Sequence, residues 1–193
     1  MAQEMTRLVL AALLALIPAA ACAQVESSPN LGETQGQCRI GETGPAVLIT
    51  VAGLKDRSGQ LRAELYPGND RDFLEDDNIL INAGKTFRRV DIAVPASGTV
   101  QLCIRTPGPG AYTLSLLHDR DGNHKFGLSS DGVGFPNNPQ LGFSKPKAAA
   151  VRFLTGSGVT PITIRMNYRR GLLSFGPLRE AQSELDRKPR RAD

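Results

Sequence analysis

The sequence predicts an all-β protein, a single antiparallel β-sandwich of about seven strands in an immunoglobulin-like or transthyretin-like arrangement. Two observations lead to this prediction. Short apolar runs alternate with polar residues at a period of two, and clusters of Gly, Pro, Asp and Ser separate the runs. The predicted strands are 46–53, 60–66, 87–94, 99–104, 111–118, 149–154 and 162–168. Since one face of each strand is apolar, two packed sheets would bury these faces together.

The alternation is clearest in the last predicted strand. Its apolar residues stand at every second position: Ile162, Ile164, Met166 and Tyr168. A strand places such residues on one face, while the polar residues between them point the other way. We therefore expect this row to face the core.

Turn residues fall between the predicted strands. Asp-Arg-Ser-Gly at 56–59 predicts a hairpin turn, and Pro-Ala-Ser-Gly at 95–98 predicts a tight link. Tyr112 follows Pro-Gly-Pro-Gly at 107–110, a context typical of the tyrosine corner, in which the hydroxyl bonds back to the preceding backbone.

Two short helices are expected. The first lies within 70–78. The second is predicted where Leu178, Ala181 and Leu185 follow one another at helical spacing before Pro189. Neither helix changes the predicted fold class.

The N-terminal segment has the pattern of a secretory signal peptide. Arg7 precedes an apolar run at 8–21, and small residues around Cys22 provide a cleavage site before Gln24. The run is shorter than the roughly 20 residues of a membrane-spanning helix, so we expect no transmembrane segment in the mature chain. The predicted location is periplasmic or secreted, and a lipoprotein anchored through Cys22 is the alternative. The domain order follows as signal peptide 1–23, disordered linker 24–45, β-sandwich 46–168 and basic polar tail 169–193, the tail mostly disordered or in a short helix.

Two cysteines follow the predicted cleavage site, Cys38 and Cys103. In an oxidising compartment such a pair can form a disulfide. It would close a loop of about 65 residues and stabilise the fold by roughly 4 kcal/mol in the chain-entropy model. Two free thiols are the alternative.

The formal net charge is +4, and most of the basic excess lies in the tail. Such a tail could contact phosphate-bearing lipid or acidic polysaccharide of the cell envelope, through attraction that salt screens. A solvated tail with no partner is the alternative. We expect no nucleic-acid partner, because aromatic residues make up 5% of the chain and Trp is absent.

The loop after the strand at 111–118 is the candidate cation site. Asp119, Asp121 and Asn123 place three oxygen ligands at alternate positions, and Lys125 could add its backbone carbonyl. Asp131 stands one residue late for a closing carboxylate. With an acidic ligand missing, we expect calcium to bind weakly, at roughly 0.1–1 mM. A loop capped by its own Asp and Asn side chains is the alternative.

The two histidines add little to a metal site. His124 occupies the position where the sharp turn favours Gly, and His118 ends the preceding strand. A zinc site built on both and Asp119 would lack further ligands, since no CxxC or HxxxH spacing is present.

Motifs for catalysis are absent. The sequence has no Gly-x-Ser-x-Gly elbow, P-loop or dinucleotide fingerprint. We therefore expect no enzymatic activity. The alternative is a hydrolase or carbohydrate-active enzyme that uses His118 and Asp119.

Four segments together carry a resemblance to a known family: Leu-Ile-Thr-Val-Ala-Gly-Leu at 48–54, Gly-Gln-Leu-Arg-Ala-Glu-Leu-Tyr at 59–66, Gly-Ala-Tyr at 110–112 leading to the His-Asp pair, and Gly-Val-Gly-Phe-Pro-Asn-Asn at 132–138. From about 48 to 168 the chain resembles the exported bacterial proteins grouped as domain of unknown function 2141. The resemblance implies one exported β-sandwich domain without an assigned activity. Members often have Asp-x-Asn-Gly-Asn-Gly-x-x-Asp after the His-Asp pair, and here His124 and Gly127 replace the turn Gly and the last acid.

These observations predict an exported, non-enzymatic module of the bacterial cell envelope. It would present the polar loop 119–138 to weakly bound calcium or to a lipid, polysaccharide or protein partner.

Overall fold

The computed structural model describes residues 24–142, 144–171 and 174–178. Within these ranges the chain is nearly all β, with ten strands in two sheets and three helices of four to six residues. The strands are β1 Ala46–Ala52, β2 Gln60–Pro67, β3 Arg88–Ala93, β4 Val100–Arg105, β5 Gly110–Asp119, β6 Gly132–Gly134, β7 Phe153–Thr155, β8 Val159–Arg165, β9 Asn167–Arg169 and β10 Phe175–Gly176, and the helices are α1 Glu33–Gly36, α2 Asp77–Asn82 and α3 Ala148–Val151. The all-β prediction is confirmed.

The two sheets differ in size. The smaller sheet has the order β4-β1-β8, and the larger has the order β10-β9-β6-β5-β2-β3, with β7 paired to the start of β5. β1 pairs antiparallel with β4 but parallel with β8. The sequence predicts an antiparallel sandwich, but the β1–β8 pair is parallel. Residue alternation carries no information on strand direction.

One apolar core lies between the sheets. The smaller sheet contributes Ile49 and Leu102, and the larger contributes Leu61 and Leu116, all almost fully buried. This is the packing that the alternating pattern predicts.

The last predicted strand is in fact two strands. Ile164 lies on β8 of the smaller sheet and Tyr168 on β9 of the larger one, and Met166 lies between them with its N–H bonded to the Ala52 carbonyl oxygen. All three side chains are buried, as expected, and Ile162 is half-buried. Gly132 allows the crossing, because a Cβ there would lie 2.3 Å from the Tyr168 ring.

Several local predictions are wrong. Residues 56–59 do not form a hairpin turn, since β1 and β2 lie in different sheets. Turn residues specify a change of direction but not which strands pair. The predicted strand 149–154 begins instead as α3 and becomes β7 only at Phe153, and the helix expected at 70–78 lies later, as α2.

The tyrosine corner is confirmed, with the Tyr112 hydroxyl donating to the Gly108 carbonyl oxygen at 3.1 Å.

The sequence predicts a disordered linker at 24–45, but the structure packs this segment against the fold. Helix α1 lies against β3, and Arg89 of that strand donates from Nη1 to the carbonyl oxygens of Ser28 and Pro29. The predicted disulfide is present, joining Cys38 to Cys103 with a Cα–Cα distance of 5.8 Å. Polar composition predicts disorder only where no such tether exists.

The signal peptide at 1–23, Cys22 and the helix expected beyond Leu178 lie outside the described residues. Of the predicted tail, the described part includes β10, which pairs with β9. Among the helices described, none has the length and apolar character needed to cross a membrane.

Candidate ligand pocket and polar loop

The outer face of the larger sheet carries charged residues. Along β2, Leu61, Ala63 and Leu65 face the core, so the residues between them, Arg62 and Glu64, lie on the opposite face. On the neighbouring strand β3, Asp91 pairs in register with Arg62, and Arg89 with Glu64. The register thus places each cation beside an anion.

These charges form two ion-pair groups. Arg62 binds Asp91 through two nitrogens, Nε to Oδ1 at 2.8 Å and Nη2 to Oδ2 at 2.6 Å. Arg89 donates from Nε to Glu64 at 2.8 Å and from Nη2 to Asp77 at 3.2 Å. The two arginines are 5% and 6% exposed. Buried charges persist only when they are paired and hydrogen-bonded, so this face is a rigid polar floor.

A cavity of about 440 Å³ lies over this floor. Sheet residues form its base, and residues of three loops and of β10 form its walls. The lining includes Arg62, Glu64, Arg89, Ser115, Leu117 and Val133 at the base, and Leu74, His124, Phe126, Leu128, Phe135, Leu141, Lys145 and Phe175 at the walls. The volume falls within the roughly 300–1,000 Å³ of small-molecule sites.

Two apolar side chains of the polar loop form part of the wall. Phe126 is 49% exposed and Leu128 is 56% exposed. The Phe126 ring lies 6.0 Å from the Phe175 ring, centroid to centroid. Exposed apolar side chains gathered at a cavity are typical of a surface that meets a ligand or partner.

His124 connects the loop to the floor. Its backbone has φ of 62°, and its Nδ1 lies 2.8 Å from Gln60 Nε2 and 2.8 Å from Arg62 Nη2. Both neighbours are donors, so Nδ1 accepts and the ring hydrogen is on Nε2. The left-handed backbone at a non-glycine residue is held by these contacts.

Asp119 organises the loop. Its side chain is fully buried, and it accepts hydrogen bonds from the backbone N–H groups of Gly122, Asn123 and His124 and from the Gln60 amide. Burial alone would raise the pKa of Asp119, but the hydrogen bonds, those from Gln60 and His124 first, outweigh it and lower this pKa. Asp119 therefore remains ionised as the acceptor that shapes the loop.

The structure brings three of the predicted metal ligands together. Carboxylate oxygens of Asp119, Asp121 and Asp131 lie within 4.8 Å of one another. The Asn123 Oδ1 atom accepts the Lys125 N–H at 2.7 Å. Calcium binding stays a prediction, and the contacts are those of the alternative, a loop capped by its own side chains.

Asp131 is also engaged by the loop backbone. It accepts the N–H groups of Arg120 and Gly127 at 3.1 and 2.7 Å. The Arg120 side chain in turn binds Asp56 and the Ser130 carbonyl oxygen, and its hydrogen bond lowers the pKa of Asp56 to about 2. The turn before β2 and the end of the loop are thereby joined.

His118 lies away from the pocket, between the two sheets. Its ring is fully buried, with Nε2 2.8 Å from the Ser58 carbonyl oxygen and Nδ1 2.7 Å from the Tyr168 hydroxyl. A carbonyl can only accept, so Nε2 carries the hydrogen and Nδ1 accepts from Tyr168. Burial lowers the pKa of His118 and raises that of Tyr168 to about 12. The neutral ring is a buried structural link.

The sequence alone did not identify the residues at the base of the cavity, and it identified only the wall formed by the polar loop. The available signals were the charged residues at alternate positions of β2 and β3, and the two apolar residues inside a polar loop, Phe126 and Leu128. Neither signal indicates a cavity until the strands are paired.

No curated protein and no solved structure matches this chain. A family model described as "Uncharacterized protein conserved in bacteria (DUF2141)" matches residues 49–163, more than half of the chain. The match spans the strands β2 to β7, with most of β1 and β8, and the whole polar loop. The chain therefore belongs to the DUF2141 family of bacterial proteins.

Proposed function

We propose that this protein is an exported, non-enzymatic binding module of the bacterial cell envelope, and that its ligand site is the cavity on the outer face of the larger sheet. The observation that carries the proposal is the cavity itself. A rigid base of paired charges lies under walls that include exposed apolar side chains. Small-molecule sites combine an apolar lining with a few fixed polar groups in this way.

Two features support export. The N-terminal residues have the pattern of a signal peptide, and the Cys38–Cys103 disulfide suits an oxidising compartment. The polar loop 119–138 has the role of a presented surface in this proposal, because it supplies His124 and Phe126 to the cavity wall.

The burial of His118 and Asp119 supports a binding role over the hydrolase alternative. Both side chains have no exposed surface, and a general base must come within hydrogen-bond reach of its substrate. A hydrolase screen of the wild type and of His118→Ala separates the two functions. We expect no turnover from either protein, whereas activity that His118→Ala abolishes would support the enzyme.

Binding at the cavity is tested with Nile red, a neutral dye whose emission rises in apolar surroundings. We expect saturable binding to the wild type. Leu117→Trp fills the base of the cavity and should abolish binding, while Leu154→Trp is the control, since Leu154 is 74% exposed on β7 and does not line the cavity. Equal binding by both variants, or none by the wild type, contradicts the proposal.

A further inference from the structure

We propose that the cavity takes an amphipathic acid, a small molecule with one carboxylate head and an apolar body. The inference rests on the proposed function, in which the cavity is the ligand site. It follows from three properties of the lining: the hydrogen-bonding character of its polar atoms, the charge they carry and the volume over them.

The side-chain nitrogen atoms of the lining that are left for a ligand are donors. Among the described residues, Nη1 of Arg62 has only a long contact, 3.5 Å, to the His124 carbonyl oxygen. The adjacent His124 ring, exposed at the cavity wall, has its hydrogen on Nε2. Lys145 gives one of its three N–H donors to the Phe73 carbonyl oxygen. A ligand head that accepts hydrogen bonds fits these atoms.

The acceptor at the base is already occupied. Glu64 receives Arg89 on Oε1 and the Tyr66 hydroxyl on Oε2. Asp91 neutralises Arg62 from the neighbouring strand but does not line the cavity. The donors left for a ligand therefore belong to two cations, Arg62 and Lys145, and to the His124 ring, and a bound carboxylate would form charge-assisted hydrogen bonds with the two cations.

The remaining lining suits an apolar body. Leucine, valine and phenylalanine side chains from five separate segments surround the space: Leu117, Phe126, Leu128, Val133, Leu141 and Phe175. At about 30 Å³ for a group the size of a water molecule, a cavity of about 440 Å³ holds on the order of 14 heavy atoms. A straight-chain acid of ten to twelve carbons matches that size.

The test is calorimetric titration of the full mature chain with decanoate, below its micelle concentration, and with decanol. Because a hydrogen bond to a charged group contributes about 1.5–3 kcal/mol, decanoate should bind at least tenfold more tightly than decanol. Across acids of six to ten carbons, each added methylene should tighten binding about fourfold, because these chains do not yet fill the cavity.

Two matched variants locate the head group. Lys145→Gln should weaken decanoate several-fold and leave decanol unchanged. Lys147→Gln is the control, because this exposed lysine lies two residues away and does not line the cavity. Arg62 is not substituted, since its loss would leave Asp91 without its partner.

The outcomes separate the two proposals. If decanol binds as tightly as decanoate, or if Lys145→Gln and Lys147→Gln behave alike, the acid specificity is wrong while the cavity remains a ligand site. If neither compound binds and Nile red also fails, the proposed function is wrong as well.

Discussion

The buried ring of His118 couples the fold to pH. Its pKa lies below the ordinary value of 6.5 because burial disfavours the charged ring. Well above pH 6.5 the ring is neutral in both the folded and the unfolded chain. As the pH falls below 6.5, the unfolded chain takes up a proton that the folded ring does not, so stability decreases until the pH passes the lowered pKa.

We predict a loss of up to about 1.4 kcal/mol per pH unit within this window. The free energy of unfolding from urea titrations between pH 7.5 and 5 measures it. His118→Gln should flatten the dependence, whatever its effect on stability at pH 7.5. The pKa values of Asp56 and Asp119 are lowered from the ordinary 3.8, so these two groups change the stability only near and below pH 3.8, outside this range. An unchanged slope in His118→Gln would contradict the assignment.

The charged floor gives a second prediction for single residues. Removing Asp91 leaves the buried Arg62 guanidinium without its bidentate partner. Asp91→Ala should therefore destabilise the fold by roughly 3 kcal/mol, because an uncompensated buried charge costs more than the pair contributes. Thermal or urea unfolding measures the change.

The control is the double replacement Arg62→Met with Asp91→Leu, which removes both charges. It should recover most of the loss. A double variant as unstable as Asp91→Ala would show that packing, and not the unpaired charge, is responsible.

The polar loop is an element shaped by one carboxylate. Asp119 accepts the backbone N–H groups of Gly122, Asn123 and His124. Asp119→Asn replaces one acceptor oxygen by an amide donor, so we predict faster hydrogen exchange at these amides. Asp121→Asn is the matched control, since Asp121 is exposed, and it should leave the exchange at Gly122 and His124 nearly unchanged. Equal exchange in both variants would contradict the role of Asp119.

Calcium is tested on the same loop. A site with a dissociation constant of about 1 mM would add about 1 kcal/mol of stability at about 5 mM calcium. Weak calcium binding predicts this gain, whereas a loop capped by its own side chains, in which four hydrogen bonds already occupy both oxygens of Asp119, predicts no shift in melting temperature. A rise of several degrees that Asp121→Asn abolishes would restore the calcium site.

The elements that the sequence predicts well are those whose signal is local. Strands β2 to β5 combine alternation with flanking turn residues, and β1 is an apolar run that ends before turn residues. The bounds of all five agree with prediction to within a few residues. Strands β6 and β10, of three and two residues, are too short to show a period. Helix α3 was missed because its apolar residues, among them Ala148 and Val151, also suit a buried strand.

The candidate site likewise has one part that local sequence predicts and one part that it does not. The predicted ligands Asp119, Asp121 and Asp131 are close in sequence and do come together. The cavity joins Arg62, Leu117 and Phe175, which are far apart along the chain. Their meeting depends on strand order, and the parallel pair of β1 with β8 shows that alternation alone does not determine that order.

At the scale of the whole molecule, a disulfide ties the N-terminal arm, residues 24–45, to the β-sandwich. The Cys38–Cys103 disulfide spans 65 residues and joins the arm to β4. In the chain-entropy model such a loop contributes roughly 4 kcal/mol, so replacing both cysteines by serine should lower the free energy of unfolding by about that amount. Urea unfolding of the oxidised wild type and the double variant measures the difference. A loss below about 1 kcal/mol would show that the arm is held by its other contacts.

In the proposed function, this family member binds a small molecule over the outer face of its larger sheet. The most direct measurement is a titration of the labelled protein with decanol, followed by amide chemical shifts. We predict saturable shifts at residues 115–117 of β5, at 126–128 of the polar loop and at Val133 of β6. Saturable shifts confined to the smaller sheet, on β1, β4 and β8, or no saturable shift at all, would contradict ligand binding at the cavity.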